Sequence, residues 1–349
     1  MRATGFEPHG KRFFAMRGGM PTMKAGNAAV PICHVERGGR IESVHHGHAV
    51  VLGPGGIRAA WGDPSAVIFP RSSCKMVQAL PMLEAGLDPG PERLALACAS
   101  HDGAAIHTDR VRAWLSDLGL GESDLRCGAH EPKDRAARDG LIRSGAAPDQ
   151  VHNNCSGKHA GFLAITRHLR AGPEYVDPDH PLQRAIRTAF EEVTGEESPG
   201  YGIDGCSAPN FACTLEGLAR AAMRFATAGE GDARGRAMSR AREAMMRHPD
   251  LVAGEGRACT VLMRAAAEPL ALKTGAEGVF LAILPRQGLG VAVKAADGAT
   301  RAAECAVADV LVRLGALDPA HPGARAFRDP PIRNWRGVET GRIVPALSP

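Results

Sequence analysis

The chain has 349 residues, 44% of them hydrophobic, and a formal net charge of +4. That length supports one large core or two smaller ones. The weak, dispersed charge offers no basic stripe for nucleic acid, and no apolar run approaches the roughly 20 residues that a bilayer-spanning helix needs. Nine cysteines, odd in number and scattered, read as reduced thiols at a cytoplasmic address rather than as a disulfide framework.

Residues 1–27 are basic and lack an apolar stretch of signal-peptide length, so they read as a disordered lead with Met20 and Met23 as later possible starts. Apolar runs at Ala49–Leu52 and Ala66–Phe69 read as strands, the second closed by Pro70. A helix is expected over 72–85, capped by Ser72, kinked at Pro81 and stopped by Gly86. Leu94–Ala99 is apolar and short, and its pattern fits strand and helix equally. Helical periodicity follows at about 107–119, 157–170, 180–194, 211–228 and 235–247. Val279–Leu284 and Val291–Ala295 flank Pro285-Arg286-Gln287-Gly288 as a β-hairpin, and an amphipathic helix is expected at about 300–314. Strands at both ends with helices between predict an α+β fold: a mostly antiparallel sheet flanked by helices, with a helical lobe. The expected division is the lead at 1–27, a single catalytic domain at 28–317, and a Pro-rich, irregular tail at 318–349 packed on its surface.

Only seven of the 42 basic residues are lysine. Three of them, Lys75, Lys158 and Lys273, sit in dense polar motifs. Arginine stays charged in a protein, whereas a desolvated lysine can become a neutral amine that takes a proton or binds a metal. Ser72 and Lys75, three apart, share one helix face, so the lysine can serve as base for a hydroxyl that is otherwise a poor nucleophile. The helix N-terminus adds N–H donors for an oxyanion. Alone, Ser-x-x-Lys is a weak signal, since a cap and a surface lysine look the same. Lys273-Thr274-Gly275 directly before a strand strengthens it, because the two elements together mark the serine β-lactamase and penicillin-binding group. Neither Ser-x-Asn nor Tyr-x-Asn, the middle element of that group, occurs. The design is therefore a Ser-Lys amidohydrolase without the β-lactam centre. Ser73, two residues before Lys75, is the rival nucleophile on the wrong side of the helix.

With their surroundings, these residues resemble the asparaginase II family of the Rhizobium etli type. The resemblance is carried by HGHAVV, WGDPSAVIFPRSSCKMVQALPMLEAG, LALACASHDG, HNNCSGKHAG, YGIDGCSAPNF, LALKTGAEGVFLAILP and NWRGVETGRI, spread over about residues 33 to 344. It implies a serine β-lactamase/penicillin-binding-protein-like fold and a homodimeric cytoplasmic enzyme that hydrolyses L-asparagine to L-aspartate and ammonia. It also implies two Ser–Lys pairs, Ser72 with Lys75 and Ser100 with Lys273. Ser100 comes from the resemblance alone, because a serine after an apolar run is ordinarily an element terminus. One zinc ion per chain is implied at Cys155, Lys158 and Cys206. Read on its own, Cys-x-x-Lys plus a distant cysteine is poor evidence for zinc, and buried free thiols are the commoner explanation.

A free amino acid needs partners for its carboxylate and its ammonium. Arg71 beside Ser72 is the candidate for the first, Asp204 for the second, and His159 is a further donor; their ordinary readings are a surface ion pair, a turn aspartate and a core histidine. The resemblance places all three near the site. His45, His46 and His48 cluster locally, but their spacing lies in a strand-turn context and reads as structural rather than as a metal site; Trp61 and Trp335 read as core or packing residues. The alternatives are a glutaminase, another Ser-x-x-Lys amidohydrolase, or a catalytically silent zinc- or amino-acid-binding protein.

Overall fold

The structure, a computed structural model, describes residues 28–349; the expected N-terminal lead lies outside the described residues. The chain opens with strands Val30–Arg37 (β1), Arg40–Gly53 (β2), Gly56–Trp61 (β3) and Val67–Ile68 (β4). Helices Lys75–Gln78 (α1), Leu80–Glu84 (α2), Pro91–Ala97 (α3), Ala105–Asp117 (α4), Arg135–Ser144 (α5), Ser156–His168 (α6) and Pro181–Thr194 (α7) follow. Short strands Tyr201–Ile203 (β5), Pro209–Phe211 (β6) and Cys213–Thr214 (β7) precede Leu215–Thr227 (α8), Ala233–Arg247 (α9), Pro249–Val252 (α10) and Ala258–Ala265 (α11). The chain then returns as Ala271–Gly275 (β8), Val279–Leu284 (β9) and Leu289–Ala295 (β10), and closes with Thr300–Arg313 (α12), Pro322–Arg328 (α13), Pro331–Arg333 (β11) and Glu339–Pro345 (β12).

One antiparallel sheet runs β11-β12-β1-β2-β10-β9-β8, with β3 paired to β2. Helices α8 and α12 both pack on β10, whose successive residues Leu289 to Val293 are all buried. A strand buried at every position has cover on both faces, so it is the middle layer of the core. The apolar stripe of α8, with Leu215, Leu218, Ala222, Phe225 and Ala226, explains that docking, and the Thr214 hydroxyl caps its start by accepting from Gly217 N–H. Helices α2, α3, α6, α7 and α9 gather into the helical lobe. The α+β class with a mostly antiparallel sheet is therefore the one expected.

The local differences have physical causes. The segment 72–85 is not one helix: residues Arg71–Cys74 form a 3₁₀ turn, followed by α1 and α2, which meet at Ala79 just ahead of Pro81. Proline cannot donate its missing N–H, so the break falls where expected. Ala66–Phe69 yields only the two-residue β4, paired to β7 outside the main sheet. Leu94–Ala99 resolves as the end of helix α3. The stretch after Leu317 is not irregular: β12 pairs along β1 and carries β11 at the sheet's edge. Trp335, expected to pack, is fully exposed in the tight Asn334–Gly337 turn between those two strands. The turn's own backbone hydrogen bonds hold it at the tip, away from the core.

Candidate active site

The turn at Arg71–Cys74 lies against β8, and Gly275 makes that possible. A Cβ there would meet Pro70 O at 2.6 Å and Ser73 N at 3.2 Å. The glycine of Lys-Thr-Gly thus lets the strand carrying Lys273 touch the turn carrying Ser72. Gly157 does the same at the other wall, where a Cβ would lie 2.5 Å from Leu96 O, seating α6 on α3 and bringing Cys155 and Lys158 toward Ser100. Arg71 has φ of +54°, a left-handed backbone that costs a non-glycine residue about 1–3 kcal/mol and is held here by Asn210, whose side-chain oxygen accepts from Arg71 N–H at 3.2 Å.

Three lysines are buried in this region: Lys75 at 1%, Lys158 at 3% and Lys273 at 0% exposure. The Lys75 amine lies 2.5 Å from Ala99 O, 3.0 Å from Ser100 Oγ and 3.1 Å from Cys155 Sγ. The Lys273 amine lies 2.8 Å from the same Ser100 Oγ and donates to its neighbour's carbonyl, Thr274 O, at 2.8 Å. Ser100 therefore sits between two amines. The expected hydrogen bond from Lys75 to Ser72 is not formed, because the three partners of that amine all lie elsewhere. Ser72 is half-buried at the start of the turn, whereas Ser73 is buried and donates to Pro70 O at 2.7 Å. Burial, reinforced by the nearby charge of Lys75, lowers the Lys273 pKa to about 7. A neutral amine at that position is thus accessible near physiological pH.

Arg71 and Asp204 face one another, with Nε and Nη2 of the guanidinium donating to one carboxylate oxygen at 3.1 and 2.8 Å. Burial would raise the Asp204 pKa, but the Arg71 hydrogen bonds and the Lys158 charge outweigh it and keep the carboxyl below its usual range. His159 is fully buried on α6, its Nδ1 2.9 Å from Tyr175 Oη, and burial with the adjacent Lys158 charge holds its ring well below the usual range, hence neutral.

Behind this pair, Lys158 Nζ lies 3.0 Å from Cys206 Sγ, and Cys155 is hydrogen-bonded to Cys206. The Cys155 thiol is pushed up to about 12 by that bond and by burial, while Cys206 falls well below the ordinary thiol value, chiefly because Cys155 donates to it. Burial favours a neutral Lys158, yet the charge of Cys206 and its hydrogen bond to the amine outweigh this and raise the Lys158 pKa. Among the described residues no group of three or more His, Cys, Asp or Glu is arranged to hold a metal. The converging set has lysine as its third member. Two sulfurs and one nitrogen are the donor types zinc takes, and three protein ligands leave a fourth position open, so the set fits the ion chemically. Binding would require Lys158 and Cys155 to lose their protons, which a metal drives.

Of the ten residues singled out in the sequence, Lys75, Ser100, Cys155, Lys158, His159, Cys206 and Lys273 are buried, whereas Arg71, Ser72 and Asp204 are only partly so. Sequence reasoning did not find Asn210 or Tyr175. Asn210 lay inside the YGIDGCSAPNF segment, but its carboxamide carried no chemical signal there. The histidine cluster near residue 48 is structural as read: His45 is 2.6 Å from Asp297 and accepts from Arg301 at 2.9 Å. Trp61 donates to Ser348 O.

No curated protein sequence matches the chain. Among solved structures it is similar to Mglu in its native form, at 13% identity and a TM-score of 0.43, covering 79% of this chain and 65% of that one. The chain thus spans about two thirds of the length of that relative. It is also similar to a β-lactamase from Mycobacterium bovis, at 17% identity and a TM-score of 0.42, over 78% of this chain and 95% of that one. A probable glutaminase from Bacillus subtilis, complexed with 6-diazo-5-oxo-L-norleucine, matches at 13% identity and a TM-score of 0.36, over 80% and 87% of the two chains. The profile of the L-asparaginase II family covers residues 33–345, nearly all of the described chain. The chain therefore belongs to the L-asparaginase II family.

Proposed function

We propose that the protein hydrolyses L-asparagine to L-aspartate and ammonia through an acyl-enzyme on Ser72. The observation that carries this reading is the pair of buried amines, Lys75 and Lys273, at 3.0 and 2.8 Å from Ser100 Oγ. A hydroxyl so enclosed passes protons well and receives substrate poorly. Ser72 is the reachable hydroxyl, next to Arg71 and three residues from Lys75 on the same turn. In the proposed sequence Ser72 Oγ bonds to the side-chain carboxamide carbon. Its proton passes to the Lys75–Ser100–Lys273 chain once the Ser72 side chain turns toward the Lys75 amine, the same chain protonates the departing nitrogen, and the C–N bond breaks to release ammonia. Water then cleaves the β-aspartyl ester, which restores the Ser72 hydroxyl. Arg71 and Asp204 receive the substrate's carboxylate and ammonium, each giving up part of its contact with the other.

Cys155, Lys158 and Cys206 would hold one zinc ion, and His159, next to Lys158, would donate to the substrate. When bound, zinc would supply a fixed positive charge that keeps its sulfur and nitrogen ligands deprotonated and orders the pocket wall. A homodimer and a cytoplasmic address complete the reading. All nine cysteines are buried free thiols, which supports a reducing compartment, and no described helix is long and apolar enough to cross a membrane.

The test is ammonia release from L-asparagine and from L-glutamine by wild type, Ser72→Ala and Ser100→Ala, together with mass mapping after a diazoketone analogue of asparagine. Faster release from asparagine, with label on Ser72, is expected. Preference for glutamine makes the protein a glutaminase. Absence of release with bound amino acid makes it a binding protein. Label on Ser100 reverses the roles of the two serines.

A further inference from the structure

The chain contains two tyrosines, and one of them, Tyr175, is completely buried beneath α6 in the loop between α6 and α7. Burying a phenol without satisfying its hydroxyl costs about 1–3 kcal/mol, so the hydrogen bonds of that hydroxyl can be accounted for in full. The backbone N–H of Arg126 donates to Tyr175 Oη at 2.7 Å. A peptide N–H can only donate, so the phenolic proton must go elsewhere. The other polar neighbour recorded for this hydroxyl is His159 Nδ1, at 2.9 Å. If Nδ1 carried a proton, two hydrogens would face each other across that contact and the phenolic proton would have no acceptor. Every group is satisfied when Tyr175 donates to an unprotonated Nδ1, which leaves the ring hydrogen of His159 on Nε2.

That second nitrogen is buried and has no hydrogen-bond partner among the described residues. The ring is also fixed in place, edge-on to Tyr175 with centroids 5.5 Å apart and tilted against Phe162 at 5.5 Å. Gln183 holds the loop by donating its side-chain amide to Tyr175 O at 2.7 Å. The charged groups acting on the ring are Lys158, Cys155, Lys75 and Asp204, all members of the candidate site. An oriented N–H donor with no partner of its own is thus held beside the residues proposed to receive an amino acid.

We propose that Tyr175 is a positioning residue: its hydroxyl, aligned by the Arg126 N–H, locks His159 in the Nε2–H form so that this nitrogen donates to a carboxylate oxygen of the substrate. The inference rests on the amino-acid amidohydrolase reading above. Its class of ligand is a small molecule bearing a carboxylate.

The test separates the tautomer from the activity. Nitrogen-15 spectra of the wild-type protein, as purified, should show His159 Nδ1 unprotonated and Nε2 protonated. Titration with L-aspartate should shift the Nε2 resonance. A ring protonated at Nδ1 overturns the proposal whether or not ammonia release is found, and an Nε2 resonance that L-aspartate leaves unmoved overturns the assigned ligand. Tyr175→Phe should mix the two tautomers and raise KM for L-asparagine about tenfold with a smaller change in kcat. His159→Gln, which keeps a side-chain N–H, should stay within about fivefold of wild-type KM, while His159→Ala should lose more than tenfold. If Tyr175→Phe fails to fold, the Gln and Ala pair decides: equal losses in both overturn the role of a donor. Inactivity on asparagine with the expected tautomer and aspartate shift would sink the substrate reading and leave the carboxylate site standing.

Discussion

Lys273 gives the sharpest test, because its burial and its proposed chemistry predict opposite effects of one substitution. The amine is fully buried on β8 and its pKa falls from 10.5 to about 7, mainly through desolvation. If its neutral form accepts the proton, the competent fraction is about one tenth at pH 6 and about nine tenths at pH 8, so kcat/KM should rise roughly tenfold across that interval. Linkage fixes the sign of the stability effect. Between pH 7 and 10.5 the unfolded chain keeps this proton while the folded chain has lost it, so stability rises with pH in that window. Below about pH 7 both states are protonated and the folded protein carries the whole desolvation cost, about 5 kcal/mol from the 3.5-unit difference. Lys273→Met should therefore remove activity and stabilise the protein more at pH 6 than at pH 9, by about 3 kcal/mol. Urea unfolding at the two pH values, beside ammonia-release profiles, measures both quantities. A rate profile flat from pH 6 to 8, or a Met variant whose stabilisation does not change with pH, refutes the assignment of Lys273 as the neutral base.

Three further outcomes follow from the geometry. Gly275→Ala places a Cβ 2.6 Å from Pro70 O, so thermal unfolding should show a loss of about 1–3 kcal/mol as β8 and the Ser72 turn separate. Wild-type Tm in the Ala variant would mean the two segments are not in close contact. Asp204→Asn keeps the shape but removes the charge that would face an ammonium, so KM for L-asparagine should rise about 5- to 30-fold with a smaller effect on kcat; an unchanged KM removes Asp204 from the binding site. Cys206→Ser should abolish the zinc of metal-loaded protein, measured by elemental mass spectrometry after gel filtration, from about one ion per chain to nearly none, since Cys206 is the thiolate around which Lys158 and Cys155 gather. Retention of zinc would locate the metal elsewhere.

How much of this was legible before any coordinates depended on how far apart the partners lie in sequence. Local periodicity found α7, α8 and α9 because each buries a stripe on a single face, and the 3.6-residue repeat records that directly, whereas α12, expected to be amphipathic, is buried at every position from Cys305 to Leu311. Strand β2 runs for 14 residues, yet only Ala49–Leu52 read as strand, since its first half is polar and largely exposed and its pairing with β1 leaves no apolar trace. The same reason hid β12: its pairing with β1 joins residues some three hundred positions apart through a Pro- and Gly-rich tail. At the site, Ser72, Lys75 and Lys273 were visible because lysine is rare in this chain and because their motifs carry chemistry at fixed spacing. Ser100 was visible only through resemblance. Its importance comes from two amines delivered by the start of α1 and by β8, from 25 residues before it and 173 residues after it. The i,i+3 rule correctly put Ser72 and Lys75 on one turn, but it did not weigh the competing acceptors Ala99 O, Ser100 Oγ and Cys155 Sγ that a buried ammonium finds when the helical lobe folds over it. A short-range motif thus names the groups that do the chemistry, whereas the hydrogen bonds that decide which of them acts as base are made by the tertiary fold.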